Sequence, residues 1–492
     1  MTIKERLEHR KAIKRALKRK RTARSKQVNR LGVQRRDMFA IFILVSGGFI
    51  SFFNQTLLGP AIPTIMVEYD IDASTAQWLT TIFLLVNGVM VPVTAFLIDR
   101  FTTRQLFAVS MGVFAIGAVL VAAAPSFMIV LAGRVMQAMG AGIQFPLGTV
   151  CMMRIFPKSK RGLAMGIVGV VVNFAPAIGP TVSGIMIVKY DWHLIFWYIA
   201  LACVIDIIFA MIFLKNIGER RDVHLDLISI ILSTLSFGSL LFGFSYAGSY
   251  GWGHAIVIVP LVLGTILLWV FAYRQTHSDD PFLNLTLLKV KDFARSVIVI
   301  MIINASLMVA TVLTPIYIQN VLGYSAFYSG LAMMPGALLM CVLSPITGNI
   351  FDKIGPRKIA LTGCIILVLA SGYMCIMTET MPLSWLVIAY TIRAAGIAFT
   401  NMPMNTWGIN ALENEMIAHG NAIANTMRQM SGSLGTALLV TVMSMVSIWV
   451  ADTGAVHATC IGINAAFIGS TVLSFVALVI VFFAVERKKK EK

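Results

Sequence analysis

Fourteen apolar runs, each long enough to cross a bilayer, follow one another between residues 38 and 484. Their approximate spans are 38–59, 77–98, 105–124, 127–150, 162–188, 193–214, 226–247, 255–273, 294–320, 328–350, 358–378, 383–409, 420–449 and 460–484. A crossing helix needs about 20 apolar residues at a rise of roughly 1.5 Å each. Inside lipid the backbone must satisfy its own polar groups, and runs of this length do so as helices. Charged residues make up 13% of the chain, against about 25% in soluble proteins. The fold class expected is therefore an all-α integral membrane protein with 14 transmembrane helices. The first run is too long for a signal-peptide core and no small-residue cleavage site follows it, so no cleaved leader is expected.

The charges lie between the runs and alternate in sign. One set of loops carries Arg100 and Arg104; Arg154, Lys158, Lys160 and Arg161; Lys215, Arg220 and Arg221; Arg274, Lys289 and Lys291; Lys353, Arg357 and Lys358. The other set holds Glu68, Asp70, Asp72, Glu379 and Asp452, with Lys189 its only Lys or Arg. Cationic loops stay in the cytoplasm, which places both termini there. The segment 1–37 holds 15 of the chain's 40 Lys and Arg. It reads as a topogenic tail, as a segment resting on anionic lipids, or as a nucleic-acid arm; no folded reader accompanies it, so nucleic acid is the disfavoured partner.

Enzyme chemistry has no foothold. The six cysteines (Cys151, Cys203, Cys341, Cys364, Cys375 and Cys460) form no CxxC pair, and the seven histidines are scattered one per loop or tail. No HExxH, GxxxxGK[ST] or GxSxG occurs. No enzyme activity, metal or cofactor is expected.

An internal repeat divides the chain. Leu97-Ile98-Asp99-Arg100-Phe101 with Arg104 recurs as Ile350-Phe351-Asp352-Lys353-Ile354-Gly355 with Arg357 and Lys358, Gly348 preceding the second copy. The two aspartates are 253 residues apart. Arg134 is echoed by Arg393, and Gly162-Leu163-Ala164 by Gly420-Asn421-Ala422. The expected organisation is a basic tail (1–37), a six-helix half (38–214), two inserted helices (215–292), a second six-helix half (293–484) and a short basic tail (485–492). Repeated halves with a site at their interface are the plan of secondary transporters.

The stretch Gly162 to Gly184 joins glycines at 162, 166, 169, 179 and 184 to Pro176 and Pro180. Small residues let two helix backbones approach closely, and Gly162 with Gly166 forms a small-xxx-small pair. Ala175-Pro176-Ala177-Ile178-Gly179-Pro180-Thr181 with Gly184 resembles the antiporter motif of the major facilitator superfamily, in its fourteen-helix drug:proton antiporter branch. Ser183 stands where that family usually has a further glycine. Arg428-Gln429-Met430-Ser431-Gly432-Ser433-Leu434-Gly435-Thr436-Ala437 is similar to a segment of the same exporters, and Arg134-Val135-Met136-Gln137-Ala138-Met139-Gly140-Ala141-Gly142 resembles the family's fourth-helix motif.

The resemblance implies multidrug efflux by proton antiport, with an amphipathic small molecule and protons as partners, and we take the chain to be a monomer. It implies a cytoplasmic latch at Asp99, Arg100, Arg104, Gly348, Asp352, Gly355 and Arg357, although Ala95 and Thr102 replace glycines of the first copy. The remaining candidates are polar residues inside runs. Arg134, Arg393 and Arg428 are charges that must face a cavity or a partner, because lipid exposure costs at least about 2.5–3.5 kcal/mol. Asn54 stands where the family often has an acid, and it cannot titrate. Asp206 is the acid well inside a span, hence a coupling candidate. Three buried arginines and no central acid also suit an endogenous anionic or lipid-like substrate, and a further alternative is a membrane protein whose basic tail is an interaction module.

Overall fold

The computed structural model describes residues 37–71, 73–217, 226–278 and 283–485. The basic segment 1–36, Asp72, Arg220, Arg221 and the tail from 486 lie outside the described residues. Fourteen helices of 18 residues or more are present: α1 (Asp37–Leu57), α2 (Ala73–Arg100), α3 (Thr103–Ala122), α4 (Phe127–Ile155), α5 (Arg161–Lys189), α6 (His193–Phe213), α7 (Leu227–Tyr250), α8 (Ala255–His277), α9 (Lys291–Ile316), α10 (Ala326–Ile354), α11 (Pro356–Tyr373), α12 (Leu383–Asn410), α13 (Ile417–Trp449) and α14 (Ala455–Ala484). Twelve are apolar and long enough, over their described residues, to cross a membrane. The other two, α5 and α7, coincide with the fifth and seventh apolar runs.

Contacts between distant segments fix the alternation of direction. Arg274, near the end of α8, meets Asp226, just before α7, at 3.1 Å. Arg357, near the start of α11, donates to the Phe482 carbonyl near the end of α14 at 2.7 Å. Asp37, Arg100, Lys158, Lys289, Lys353 and Ala484 therefore share one end, here called the basic end. At that end burial alone would raise the Asp226 carboxyl, but hydrogen bonds from Arg274 and Ser229 hold it below the usual carboxylate range.

Helices α1–α6 and α9–α14 correspond to the two halves expected from the repeat. They meet along α5 against α10 and α12, and along α2 and α4 against α13. The inserted α7 packs on both α2 and α13, and α8 packs on α7. The glycines explain the closest of these approaches. A side chain on Gly162 would collide with the Gly348 carbonyl, and one on Gly166 with the backbone of Ser344 and Pro345. Small-residue seams of this kind are the usual way two membrane helices come together.

Proline is accommodated by neighbours. Pro146 inside α4 cannot donate to the Gly142 carbonyl. Thr94 of α2 donates its hydroxyl to that oxygen instead, at 3.1 Å. α5 runs as helix through positions 176 and 180. The two turns of the repeated loop are built differently. Gly355 ends α10 with φ +83°, a left-handed value that favours glycine. In the first copy Thr102 and Gln105 form a capping box on α3, so no glycine is needed.

Candidate functional site

Polar residues form three groups, two of them on the seam between the halves. At the basic end, Asp352 accepts the backbone N–H groups of Gly162 (2.9 Å, Oδ1) and Leu163 (3.0 Å, Oδ2). A carboxylate there satisfies orphan donors at the start of α5 and complements the helix dipole. Beside it, Arg161 donates to Asn410 Oδ1 at 3.2 Å and Asn414 Oδ1 at 2.8 Å, both in the other half, and to its own half through the Met153 carbonyl at 2.9 Å. The second clamp joins Asp99 of α2 to His419 of α13, Oδ2 to Nε2, at 3.1 Å. Both side chains are nearly enclosed, 5% and 10% exposed. The Asn284 N–H points at Nδ1 of His419, 3.4 Å away, which fits a ring donating from Nε2 to the carboxylate.

Of the other motif residues, Gly348 also lies on the seam against Gly162, whereas Arg104 and Arg357 bond elsewhere. The Arg104 N–H donates to Asn216 Oδ1 at 3.4 Å, Arg357 stacks over the Phe482 ring at 5.4 Å, and Arg100 is exposed at the end of α2. Gly179 lies against Thr56 and Phe53 of α1, away from the other half. The side-chain surroundings of Pro176, Pro180 and Gly184 lie outside the described residues.

Deeper in, each half holds one fully buried arginine at repeat-related places. Arg134 donates from Nε to the Leu79 carbonyl (3.3 Å) and from Nη1 to Gln137 Oε1 (2.9 Å), with the Phe83 ring 4.3 Å from its guanidinium. Asn54 donates to the same Gln137 oxygen at 3.0 Å. Arg393 donates to Ser371 Oγ (3.1 Å), the Ser306 carbonyl (2.6 Å) and Ser306 Oγ (2.7 Å). Both arginines are thus held by neutral acceptors inside their own half.

Arg428 is different. It sits on α13 about 16 Å from the basic end of that helix and is only partly buried. Its guanidinium lies 5.2 Å over the Phe145 ring of α4, across the seam. Phe52 of α1 meets Phe145 edge-on at 5.2 Å, and Phe49 stacks on Phe53 at 5.6 Å and leans toward Phe174 of α5 at 6.4 Å. Phe145 and Phe52 thus form an aromatic wall from the first half beside one cation from the second, while Phe49, Phe53 and Phe174 cluster between α1 and α5.

Asp206 is not at this seam. It packs between α6 and α1, where Ser46 donates to its Oδ1 at 2.8 Å and Oδ2 is buried without a protein partner. Hydropathy gives a residue's depth in a span but not the side of the helix it faces. The clamp residues Arg161 and His419 and the phenylalanine wall were missed among the sequence candidates. Arg161 and His419 stand 258 residues apart, the offset between Gly162 and Gly420. That shared offset was the available signal.

A family model described as Major Facilitator Superfamily matches residues 44–436. The chain is 44% identical over 440 residues to the uncharacterized MFS-type transporter YcnB of Bacillus subtilis, covering 89% of this chain and 93% of that one. It is 38% identical over 403 residues to the lincomycin resistance protein LmrB of the same organism, covering 82% and 84%. A crystal structure of the human organic anion transporter MFSD10 (TETRAN) shares the fold, with a TM-score of 0.65 at 13% identity over 91% of this chain and 100% of that one. The repeated halves, the clamps across their seam and these likenesses agree: the chain is a multi-pass membrane transporter that belongs to the Major Facilitator Superfamily.

Proposed function

We propose that this protein exports amphipathic small molecules across the cytoplasmic membrane by alternating access of its two halves, driven by proton antiport. All fourteen helices cross the membrane in this reading, and the basic end, with both termini, faces the cytoplasm. The segment 1–36 rests on anionic headgroups there. One observation carries the reading: the aromatic wall and Arg428 lie at the seam of two repeat-related halves whose clamps are gathered at the basic end. A cytoplasmic seam held by a few hydrogen bonds is what a rocking transporter closes and reopens in each cycle. The resistance named for LmrB supports export of drug-like compounds.

The test is uptake of lincomycin and of ethidium into inside-out proteoliposomes carrying a proton gradient. Accumulation that collapses when the gradient is dissipated supports the reading. Accumulation indifferent to the gradient would exclude proton coupling, and no accumulation of either compound would exclude the substrate class. Labelling in a cysteine-free background tests the topology: a Cys at Gly323 should react from outside and one at Lys158 or Lys289 should not.

A further inference from the structure

We infer that Arg428 and Asn425 form a subsite for the carboxylate of an amphipathic organic anion whose apolar body rests on the phenylalanine wall. The inference refines the exporter reading above by naming a substrate class.

The Arg428 guanidinium donates no hydrogen bond to any described residue, and it lies over the Phe145 ring. An aromatic face attracts a guanidinium but accepts none of its N–H groups in the strong geometry a carboxylate offers. The neighbouring arginines show the contrast. Arg134 and Arg393 spend their donors on carbonyl, amide and hydroxyl oxygens inside their own halves. A second donor is left over nearby. Asn425 is 5% exposed, and its Nδ2 is buried without a partner. It lies three residues before Arg428, on the same face of α13. Asn421, one turn further back on that face, donates across the seam to the Pro146 carbonyl at 3.5 Å. This face of α13 therefore looks at α4.

Two donors without a protein partner, one of them a cation and the other buried, stand one turn apart on this face. A buried amide donor left unpaired costs roughly 1–3 kcal/mol, so an occupant that accepts from both is favoured. No carboxylate of the described spans supplies it: Asp206 is held by Ser46 between α6 and α1, and Asp99 by His419 at the basic end. An arginine fork matches a carboxylate bidentately, and Phe145 with Phe52 supplies the apolar wall beside it.

The experiment compares three molecules with one apolar body: phenylbutyrate, phenylbutanol and phenylbutylamine. Binding of each to the purified full-length protein is measured by displacement of tritiated phenylbutyrate, with no gradient needed. The expected order of affinity is carboxylate, alcohol, amine. Arg428→Met should weaken phenylbutyrate by about tenfold or more while leaving phenylbutanol nearly unchanged. Arg428→Lys should recover part of the loss, and Asn425→Leu should weaken phenylbutyrate several-fold through the lost donor alone. A parent protein with no preference for the carboxylate, or a preference that survives Arg428→Met, overturns the subsite. If Arg428→Met does not elute as folded protein, the Arg428→Lys and Asn425→Leu effects decide in the same sense. Selective binding without gradient-driven export would sink the exporter reading and leave the subsite standing. Export of ethidium with no carboxylate preference would do the reverse.

Discussion

His419 Nε2 lies 3.1 Å from Asp99 Oδ2, and the two residues belong to opposite halves of the transporter. The position related to His419 by the repeat is Arg161, which also crosses the seam. Asp352, the counterpart of Asp99, reaches past Arg161 to the backbone of Gly162 and Leu163. The same two-part clamp is thus built twice, once with a permanent cation and backbone donors and once with an imidazole.

This predicts unequal tolerance of the two aspartates. Asp352→Asn keeps one acceptor but turns the other atom into a donor facing a backbone N–H. The loss of a charge-assisted bond at a helix N-terminus is worth about 1–2 kcal/mol. Closure of the basic end should weaken by roughly tenfold and turnover should fall, with insertion and yield unchanged. Turnover of reconstituted Asp352→Asn equal to the parent would show that the contact does not limit the cycle.

The imidazole clamp should depend on a donor rather than on shape. His419→Leu leaves the Asp99 carboxylate enclosed without a protein donor, which costs about 1–3 kcal/mol. His419→Gln can still present an N–H. Leu should therefore slow transport strongly and Gln mildly, measured as initial rates in proteoliposomes. Equal rates for both would mean the pair is incidental to closure.

Gly162 and Gly348 give a steric test of the same seam. A methyl on either meets the other's backbone, and neither helix can yield without parting α5 from α10. Gly348→Ala should shift the protein toward an open basic end. A Cys introduced at Asn410 should then react with a basic-side reagent several-fold faster than in the parent background. Unchanged labelling would show that the helices absorb the methyl.

The repeat made the Asp352 clamp legible in the sequence, because a motif copied 253 residues away is hard to produce by chance. Hydropathy placed the helices, since long apolar runs have no other way to satisfy their backbone. It did not reveal which way a side chain faces. Asp206 therefore looked central and is found between α6 and α1, while Phe145, indistinguishable from membrane filler by composition, lies under the Arg428 guanidinium. His419 was hidden because a single histidine in a weakly charged loop carries no pattern of its own. The Thr102 capping box is readable from Thr102 and Gln105, at a place where the resemblance implies a glycine.

Asn54 stands where the resemblance to the exporters implies an acid in the first helix. Its Nδ2 donates to Gln137, while its Oδ1, like Nη2 of Arg134, has no protein partner. Asn54→Asp removes the amide donor but brings a carboxylate within reach of Arg134, which already donates to the Asn54 carbonyl at 3.5 Å. We expect a folded protein with a melting temperature close to the parent and better handling of cationic substrates. Asn54→Leu offers no such compensation and should destabilise by about 1–3 kcal/mol. Thermal unfolding of the purified variants separates the two, and equal losses would show that Arg134 cannot use the new carboxylate.

The energy source turns on Asp206. It is the acid deep inside a span, and its one hydrogen-bond partner, Ser46, lies on α1. Phe49 and Phe53 follow Ser46 by three and seven residues, on the same face of that helix. A proton gained or lost by Asp206 would therefore act on the helix that carries part of the aromatic wall. Asp206→Asn keeps an acceptor for Ser46 and adds no bulk, so the variant should fold. It should lose gradient-driven accumulation yet keep downhill exchange, because the substrate path at the seam is untouched. Ser46→Ala, which removes the donor and leaves the carboxylate, should shift the pH dependence of accumulation without abolishing it. Counterflow measured beside gradient-driven uptake in the same vesicles separates the two activities. A well-folded Asp206→Asn protein that still accumulates substrate on a proton gradient would remove Asp206 from the mechanism.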